Sequence, residues 1–375
     1  MNFTSSPSPI DLARAAGVFI APGRPWDEGE VSPDGRCSVG EGPEFGMVGN
    51  GETIALIGRD FSIGWLCLPD LHGHPFFMHA FDPAHGGCLA LHGGKTPASA
   101  NNGAHRLGRG GQGASIEQSY FGRTNLLVTT AECENWRLRV IDSMPWNQPL
   151  LLRRVTTTNL RSAAQVFYLA FAVEPGHLLQ SRFDMYFKLV PEDELTMMVL
   201  HTDEAALAAG WVGGSTRVSV APWPRIEGNG SRTTGLVMLG PSLEPGESAN
   251  VILLLAYGAC PNEAEERWIE AARRLAARLP GDPEGLMEER AFWAQWLAEV
   301  PPPETTRACE VERYYRTLLT QKMLACWSSP QEETAAQGEK AVQGEGAAQP
   351  ERAAQREGAE RDGGAASEGA AGEGA

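Results

Sequence analysis

Short β-type runs that recur from Ala114 to Gly258 constrain the fold of this chain more than any other feature. Each run is rich in branched and aromatic residues, and Asn, Gly, Pro or Asp stands between one run and the next. No βαβ alternation interrupts them, which excludes a nucleotide-binding, doubly wound sheet. The pattern predicts a sandwich of antiparallel sheets. The predicted strands are ASIEQSYF, LLVTTAEC, WRLRVIDSMP, LLLRRVTTTNL, AQVFYLAFAV, RFDMYFKLV, LTMMVLHTD, TRVSVAPWP, TTGLVMLG and ANVILLLAYG.

The segment just before these runs has the same character. Asn50-Gly51 precedes a β-rich run over Thr53–Gly58, and a second run covers Ile63–Pro69. Between them, Arg59 to Ser62 predicts a tight hairpin loop, because Asp and Ser side chains bond their own backbone in turns. A third strand is predicted over Phe76–Asp82.

Taken together, these sequence segments resemble those of a known family. ALIGRDFSIGWLCLPDLHGHPFF, followed by FDPAHGG, resembles the opening of the N-terminal β-sandwich of glycoside hydrolase family 15, the bacterial glucoamylase and trehalase-like enzymes. The matching positions are Asp60, Ser62, Ile63, Trp65, Leu66, Cys67, Leu68, Pro69, Phe77, Asp82, Pro83, Gly86 and Gly87.

Two departures from the family wording bear on function. Phe61 stands where the family has a turn glycine, which we expect to reshape only the turn. The segment Asp70–His74 replaces a loop that, in the family, leans toward the sugar site. The resemblance therefore implies a substrate loop whose candidate residues in this chain are Trp65, Asp70, His72 and His74.

The resemblance extends over roughly residues 46 to 328. YFGRTNLLVTTAECENWRLRVIDSMPW is similar to the family's next strands, with Thr124, Asn125, Leu127, Thr129, Asp142, Met144 and Pro145 in matching places. Helical periodicity then predicts three helices: Asn262–Leu279, a second opened by Asp282-Pro283, and a third over about Glu304–Trp327. The resemblance implies that these are a linker and the first helix of a catalytic barrel.

The predicted fold class is mainly β: a large antiparallel β-sandwich, or super-sandwich, followed by about three α-helices and a disordered tail. The predicted segments are a loose leader over 1–44, the sandwich over 45–260, the linker helices and first barrel-type helix over 261–329, and an acidic low-complexity tail over 330–375. The tail repeats Ala, Glu, Gln and Gly without aromatic residues, so burial cannot offset its ordering entropy.

The missing family motifs shape the functional prediction. Inverting glycosidases need two carboxyl groups about 6.5–9.5 Å apart, and the family's glutamates lie on barrel loops whose motifs do not occur here. No catalytic residue is therefore assigned, and we expect this chain alone not to hydrolyse glycosides. The resemblance implies the N-terminal domain of an α-glucoside hydrolase, truncated or split. Two alternatives stay open: a non-catalytic carbohydrate-binding module, and a scaffold that binds another protein.

Charge and composition limit the partners. The net charge of −16 argues against a nucleic-acid surface, which needs clustered Lys and Arg. The seven cysteines are scattered singly, which indicates a reducing compartment. The sequence contains no run of about twenty apolar residues, so no membrane span is predicted. The N-terminus also lacks the basic leader of a signal peptide. A cytoplasmic location without membrane contact is therefore expected. The resemblance implies an α-glucoside as the only small-molecule partner, and it implies no cofactor.

Three further motifs were weighed. His72, His74, His79, His85 and His92 crowd one region, but no acidic or cysteine cluster completes a ligand set, so loop and edge histidines are favoured over a metal site. Gly108–Gly113 (GRGGQG) lacks the following Lys-Ser or Lys-Thr of a phosphate loop. Trp293 and Trp296 lie at helical spacing beside other apolar residues, which favours core packing over a sugar platform.

The apolar face of the predicted third helix indicates a surface that binds a partner. In the family, its apolar face would pack on further barrel helices. We therefore expect a barrel-bearing partner chain or self-association through an exposed patch at Tyr314, Tyr315, Leu318 and Leu319.

Overall fold

The computed structural model describes residues 45–83, 85–94, 115–132, 134–175, 184–213, 219–222, 226–228, 231–282 and 285–324. The predicted leader, the GRGGQG motif and the predicted tail lie outside these ranges. The described elements all belong to one compact unit. None of their helices has the length and apolarity needed to cross a bilayer.

The described strands form two antiparallel sheets, which confirms the predicted fold class. Their bounds are β1 Phe45–Gly49, β2 Ile54–Gly58, β3 Ile63–Leu68, β4 His74–Phe77, β5 Gly87–Gly94, β6 Ser115–Tyr120, β7 Leu127–Glu132, β8 Trp136–Ser143, β9 Leu150–Asn159, β10 Gln165–Pro175, β11 Asp184–Val190, β12 Leu195–His201, β13 Ala206–Gly213, β14 Ser219–Pro222, β15 Ile226–Gly228, β16 Ser231–Leu243 and β17 Ser248–Gly258.

The first sheet has the order β1-β2-β3-β5-β10-β16-β14, with β4 beside β3 and β15 beside β16. The second has the order β11-β12-β13-β17-β9-β8-β7-β6. A short 3₁₀ turn, Pro191–Asp193, joins β11 to β12. Three helices follow the strands: α1 Pro261–Arg278, α2 Met287–Ala298 and α3 Ala308–Leu324.

Alternation along the strands creates three apolar layers, because successive side chains point to opposite faces of a sheet. Val48, Ile57 and Leu66 point inward to the main core between the sheets. Their neighbours point outward, where Met47, Leu56 and Trp65 meet α2 and α3 through Trp293, Leu319 and Met323. On the outside of the second sheet, Trp268 of α1 completes a third layer. Both outer faces of the sandwich thus carry helices.

Four of the described strands, β1, β5, β13 and β15, were not predicted, and two of these have a composition that is atypical of strands. β5 and β13 (ALAAGWVG) are rich in Ala and Gly, which are depleted in strands. In β13 the small residues have a packing reason: a Cβ at Gly210 would lie 2.6 Å from the Trp268 ring of α1. Tertiary packing of the helix, rather than local propensity, therefore selects the residues of this strand.

The predicted third strand, Phe76–Asp82, is wrong after its second residue. β4 ends at Phe77, and the chain then turns: the amides of Phe81 and Asp82 both donate to the carbonyl of Met78, at 2.9 Å each. Asp82 in turn accepts from the amide of Gly86 at 2.7 Å. These local bonds compete with a ladder, so the strand cannot continue. Gly93 and Gly94 are the last residues of β5 and pair with β10.

Candidate functional site

The predicted substrate loop forms a tight turn between β3 and β4. The side chain of Asp70 accepts from the amide of His72 at 2.8 Å, and its carbonyl accepts from Gly73 at 3.1 Å. A Cβ at Gly73 would lie 2.2 Å from the carbonyl oxygen of Leu68, so the turn requires glycine there. Asp70 and His72 are exposed at its tip. His74 begins β4, and its side chain lies outside the described set.

Trp65 lies apart from the rest of the predicted loop. Its side chain is 4% exposed and points into the layer beneath α2 and α3, with the Phe81 ring edge-on at 6.2 Å. The structure therefore brings Asp70 and His72 together in one turn and places Trp65 in an apolar core.

Next to Asp70 lies a polar centre that no motif indicated, here called the Asn50 junction. Its buried members are Asn50 and Tyr257, and Glu52, Gln148 and Arg267 lie around them. The Asn50 amide donates to the carbonyl of Gln148 and to the hydroxyl of Tyr257, both at 2.6 Å. Its oxygen accepts from the backbone amides of Glu52 and Thr53. One side chain thus joins the β1–β2 turn, the loop after β8 and the end of β17.

The substrate-loop turn is anchored to this junction. The amide of Leu71 donates to the carbonyl of Glu52 at 3.0 Å. Arg267 of α1 donates to the carbonyl of Tyr257 at 2.8 Å and pairs with Glu263 at 2.5 Å. The substrate-loop turn is therefore bonded to the β1–β2 turn, which Asn50 joins to the end of β17, and α1 is bonded to that same end of β17.

The charges at the junction shift the ionisation of its members. Removal from solvent raises the pKa of Glu52; Arg267 counteracts this effect, and the nearby carboxylate of Asp70 adds to it. Burial likewise raises the pKa of Tyr257 and raises that of Cys67 to about 12, again with a contribution from Asp70. At neutral pH, Tyr257 and Cys67 are accordingly uncharged.

A cleft of about 220 Å³ adjoins the junction and shares Gln148 with it. It lies between α1, α2 and the start of β9. Its apolar lining includes Trp146, Phe292 and Trp293, and its charged lining includes Arg274, Arg278, Glu288 and Glu289. Trp146 stacks on Phe292 at 5.8 Å, and the Lys322 ammonium lies 4.1 Å from the centre of the Trp146 ring.

The charged groups of the cleft bond to one another. Arg278 pairs with Glu288 at 2.8 Å, and Arg274 donates to the side-chain oxygen of Gln148 at 2.7 Å. Glu289 is buried and pairs with the equally buried Arg154 at 2.5 Å. Paired groups of this kind typically hold elements together. A catalytic acid, by contrast, needs a carboxyl group that can exchange a proton.

The positions that carry the family resemblance have structural contacts. The Asp60 side chain accepts from the amide and, at 2.5 Å, from the hydroxyl of Ser62, which closes the β2–β3 turn. Asn125 donates to the carbonyl of Gly49 at 2.6 Å. Asp142 pairs with Arg153 at 2.6 Å inside the core between the sheets. The resemblance therefore lies in residues that build the sandwich.

The histidines and the tryptophan pair are placed as follows. Within the described ranges, no three His, Cys, Asp or Glu side chains come together as a metal-ligand set. His85 is exposed in a turn and pairs with Asp82 at 3.2 Å, whereas His79 and His92 are buried.

Trp293 is buried against Trp146 and Trp296, which confirms core packing for this side chain.

One residue of the predicted partner surface needs correction. Leu319 is fully buried beneath α3, in the same layer as Met47 and Trp65, because this sheet face supplies the apolar contacts that the helix requires. Tyr314, Tyr315 and Leu318 are half-buried. A partner surface through these three residues stays a prediction.

Comparison with known proteins gives fold neighbours only. No protein-family model and no curated protein matches the chain. Among solved structures, it is similar to a bacterial glucoamylase complexed with acarbose, at 10% identity and a TM-score of 0.47 over 74% of this chain and 40% of the other. A putative kojibiose phosphorylase from the human microbiome aligns at 8% identity and a TM-score of 0.39, over 56% of this chain and 28% of that protein.

A galactose mutarotase-related enzyme from Lactobacillus acidophilus aligns at 10% identity and a TM-score of 0.35, over 59% of this chain and 99% of its own. The chain thus spans less than half of the glucoamylase and phosphorylase that it resembles in structure.

Proposed function

We propose that this chain supplies the N-terminal sandwich and linker of an α-glucoside hydrolase of the glucoamylase and trehalase-like kind, with hydrolysis carried out by a helical barrel. One observation carries the proposal. Three stretches that separately resemble the family's sandwich opening, linker and first barrel helix meet in a single apolar layer, through Trp65, Trp293 and Leu319. Stretches far apart in the chain therefore pack together through one buried layer.

In this arrangement the chain positions a barrel and contributes a turn to its sugar pocket. The exposed tip at Asp70 and His72 would bond sugar hydroxyl groups, since carboxylate and imidazole groups accept and donate hydrogen bonds. The Asn50 junction would hold this tip in place, because preorganised groups bind with less loss of entropy. The half-buried side chains of α3 would meet the next barrel helices.

The first test is to read the DNA that flanks the coding region and to co-express any encoded barrel with this chain. We expect a barrel with two glutamate motifs, and glucose release from maltose, trehalose, isomaltose or starch only when both parts are present. The absence of such a barrel, or barrel activity that is independent of this chain, would contradict the proposal.

A matched pair of variants on α3 sharpens the test. Leu318→Asp places a charge on the half-buried face, and Thr317→Asp places the same charge on the neighbouring exposed position. Leu318→Asp should abolish stimulation of the barrel, and Thr317→Asp should leave it intact. Equal effects of the two changes would argue against docking through this face.

The cleft beside the Asn50 junction favours a second candidate, a carbohydrate-binding module. Its aromatic lining and paired charges suit an amphipathic sugar ring. Titration of the chain alone with the same sugars, followed by tryptophan fluorescence, separates the two candidates. Saturable binding without any effect on a barrel would favour the module.

A further inference from the structure

The outer edge of β11 differs from the opposite edge of the same sheet. β11 is the first strand of the second sheet and, in the described part of the chain, pairs on one side only, with β12. At the other edge, β6 is tied to the first sheet: the Tyr120 hydroxyl accepts from the amide of Met47 and donates to its carbonyl, at 3.0 and 2.9 Å. The sandwich is thus closed by side-chain bonds at the β6 corner.

The usual protection of an edge strand is weak in β11. Edge strands are commonly short, bulged, interrupted by Pro, or marked by an outward Lys. β11 pairs with β12 in unbroken register from Asp184 to Val190, without Pro. Its single lysine, Lys188, is held by Glu265 of α1, which also accepts from the Tyr186 hydroxyl. The lysine charge is therefore partly neutralised within the chain.

Large apolar side chains are exposed on this strand. Tyr186, Phe187 and Leu189 are 37%, 36% and 61% exposed, and they make up three of the five exposed large apolar side chains in the described ranges. Exposed aromatic residues on a strand edge that no other described strand pairs with are typical of a surface that another strand covers.

The sequence of β11 is complementary to itself in the antiparallel direction. Asp184 to Lys188 reads acidic, apolar, aromatic, apolar, basic. When two copies pair about Tyr186, Asp184 of each copy lies opposite Lys188 of the other, and Met185 lies opposite Phe187. Residues that face each other across antiparallel strands lie on the same face of the sheet, so both faces match.

We propose that β11 is a homodimer interface, in which two copies of this chain pair their β11 edges antiparallel about Tyr186. The symmetry is two-fold, so each contact occurs twice and the two open edges close each other. The second sheets of the two copies then form one continuous sheet. The occupant is a second copy because pairing about Tyr186 sets Asp184 of each copy against Lys188 of the other, and the Lys188 side chain stays 44% exposed beside Glu265.

Light scattering and sedimentation of the full chain test the mass, and charge changes test the pairing. The wild type should form a concentration-dependent dimer. Asp184→Lys sets Lys against Lys188, and Lys188→Glu sets Glu against Asp184, so each variant alone should be monomeric. An equal mixture should regain the dimer, because both opposing pairs become complementary. Asp203→Lys, on the exposed β12–β13 turn, should dimerise like the wild type.

A cross-link tests the register independently of those charges. Tyr186→Cys places two cysteines opposite each other on the symmetry axis, with Cβ atoms about 5 Å apart, so oxidation should give a covalent dimer. Leu189→Cys, which is more exposed but off the axis, should not cross-link beyond the wild type. A monomeric wild type, a mixture that fails to dimerise while circular dichroism shows both variants folded, or equal cross-linking of the two cysteine variants would overturn the proposal.

Discussion

At the scale of single residues, unusual backbone conformations mark the positions that shape the candidate site. Phe61, which replaces the turn glycine of the family wording, keeps a left-handed backbone with φ +60° and buries its ring completely in the core between the sheets. Left-handed conformations cost L-residues roughly 1–2 kcal/mol, and burial of an aromatic side chain offsets that cost. Phe61 in place of glycine therefore changes the side chain at this turn, and the turn itself is kept.

Gly51, in the β1–β2 turn beside Asn50, cannot accept a larger residue in the same way. Its φ is +89°, and a Cβ there would lie 2.6 Å from the Trp146 ring. Gly51→Ala should therefore lower the free energy of unfolding through backbone strain of about 1–2 kcal/mol and through overpacking of about 1–3 kcal/mol. Urea denaturation followed by circular dichroism measures the loss.

Gly246→Ala is the matched control for this change. Its φ is +78°, and no atom lies within 4 Å of the added Cβ. This variant should show the strain cost without the overpacking cost. Equal losses at the two positions would mean that Trp146 does not pack tightly against the turn.

At the scale of elements, helix α2 is attached to the sandwich by one buried ion pair. Arg154 of β9 donates to Glu289 at 2.5 Å, to the hydroxyl of Ser143 at 2.7 Å and to the carbonyl of Gly285 at 3.0 Å. The arginine therefore joins β8, β9 and the start of α2. The helix supplies Trp293 to the apolar layer and Glu288 to the cleft.

Glu289→Ala should destabilise the protein by about 3–5 kcal/mol, because it leaves the buried Arg154 charge without a partner. Glu288→Ala is the control on the same first helical turn, with an exposed carboxylate and the same favourable position for the helix dipole. It should cost under about 1 kcal/mol. Chemical unfolding of both variants checks the difference, and a loss as large for Glu288→Ala would contradict a specific role for the buried pair.

At the scale of the whole molecule, both sheets share one core that contains a second buried pair, Asp142 and Arg153. Both side chains are fully buried. Burial raises the pKa of Asp142, and Arg153 acts against that shift. Arg154 also acts against the shift, but Arg153 is the direct partner of Asp142.

Arg153→Met should cost about 3–5 kcal/mol at neutral pH, because it leaves a buried carboxylate unpaired. Without Arg153 the folded-state pKa of Asp142 rises further above its unfolded value. Stability linked to such a group is present at low pH and is lost as pH rises through the folded pKa. The deficit relative to the wild type should therefore shrink as pH falls, which unfolding curves at several pH values measure.

The double variant Arg153→Met with Asp142→Leu controls for the charge. Replacing both partners of a buried pair by apolar groups is often neutral or stabilising, so most of the lost stability should return and the added pH dependence should vanish. A deficit in the single variant that does not change with pH would argue that Asp142 finds another partner.

The amino-acid sequence by itself determined the class of fold, because alternation in runs such as LVTTAE and helical spacing in α1 are local signals. It also indicated the turn at Asp70. Tertiary structure alone decided that Ala- and Gly-rich β13 is a strand, since Trp268 packs directly on it. It also decided that Trp65 and Leu319 share a core, and that Asn50 bonds Tyr257 across 207 positions. Such contacts arise between residues distant in the chain, and no local pattern records which faces will meet.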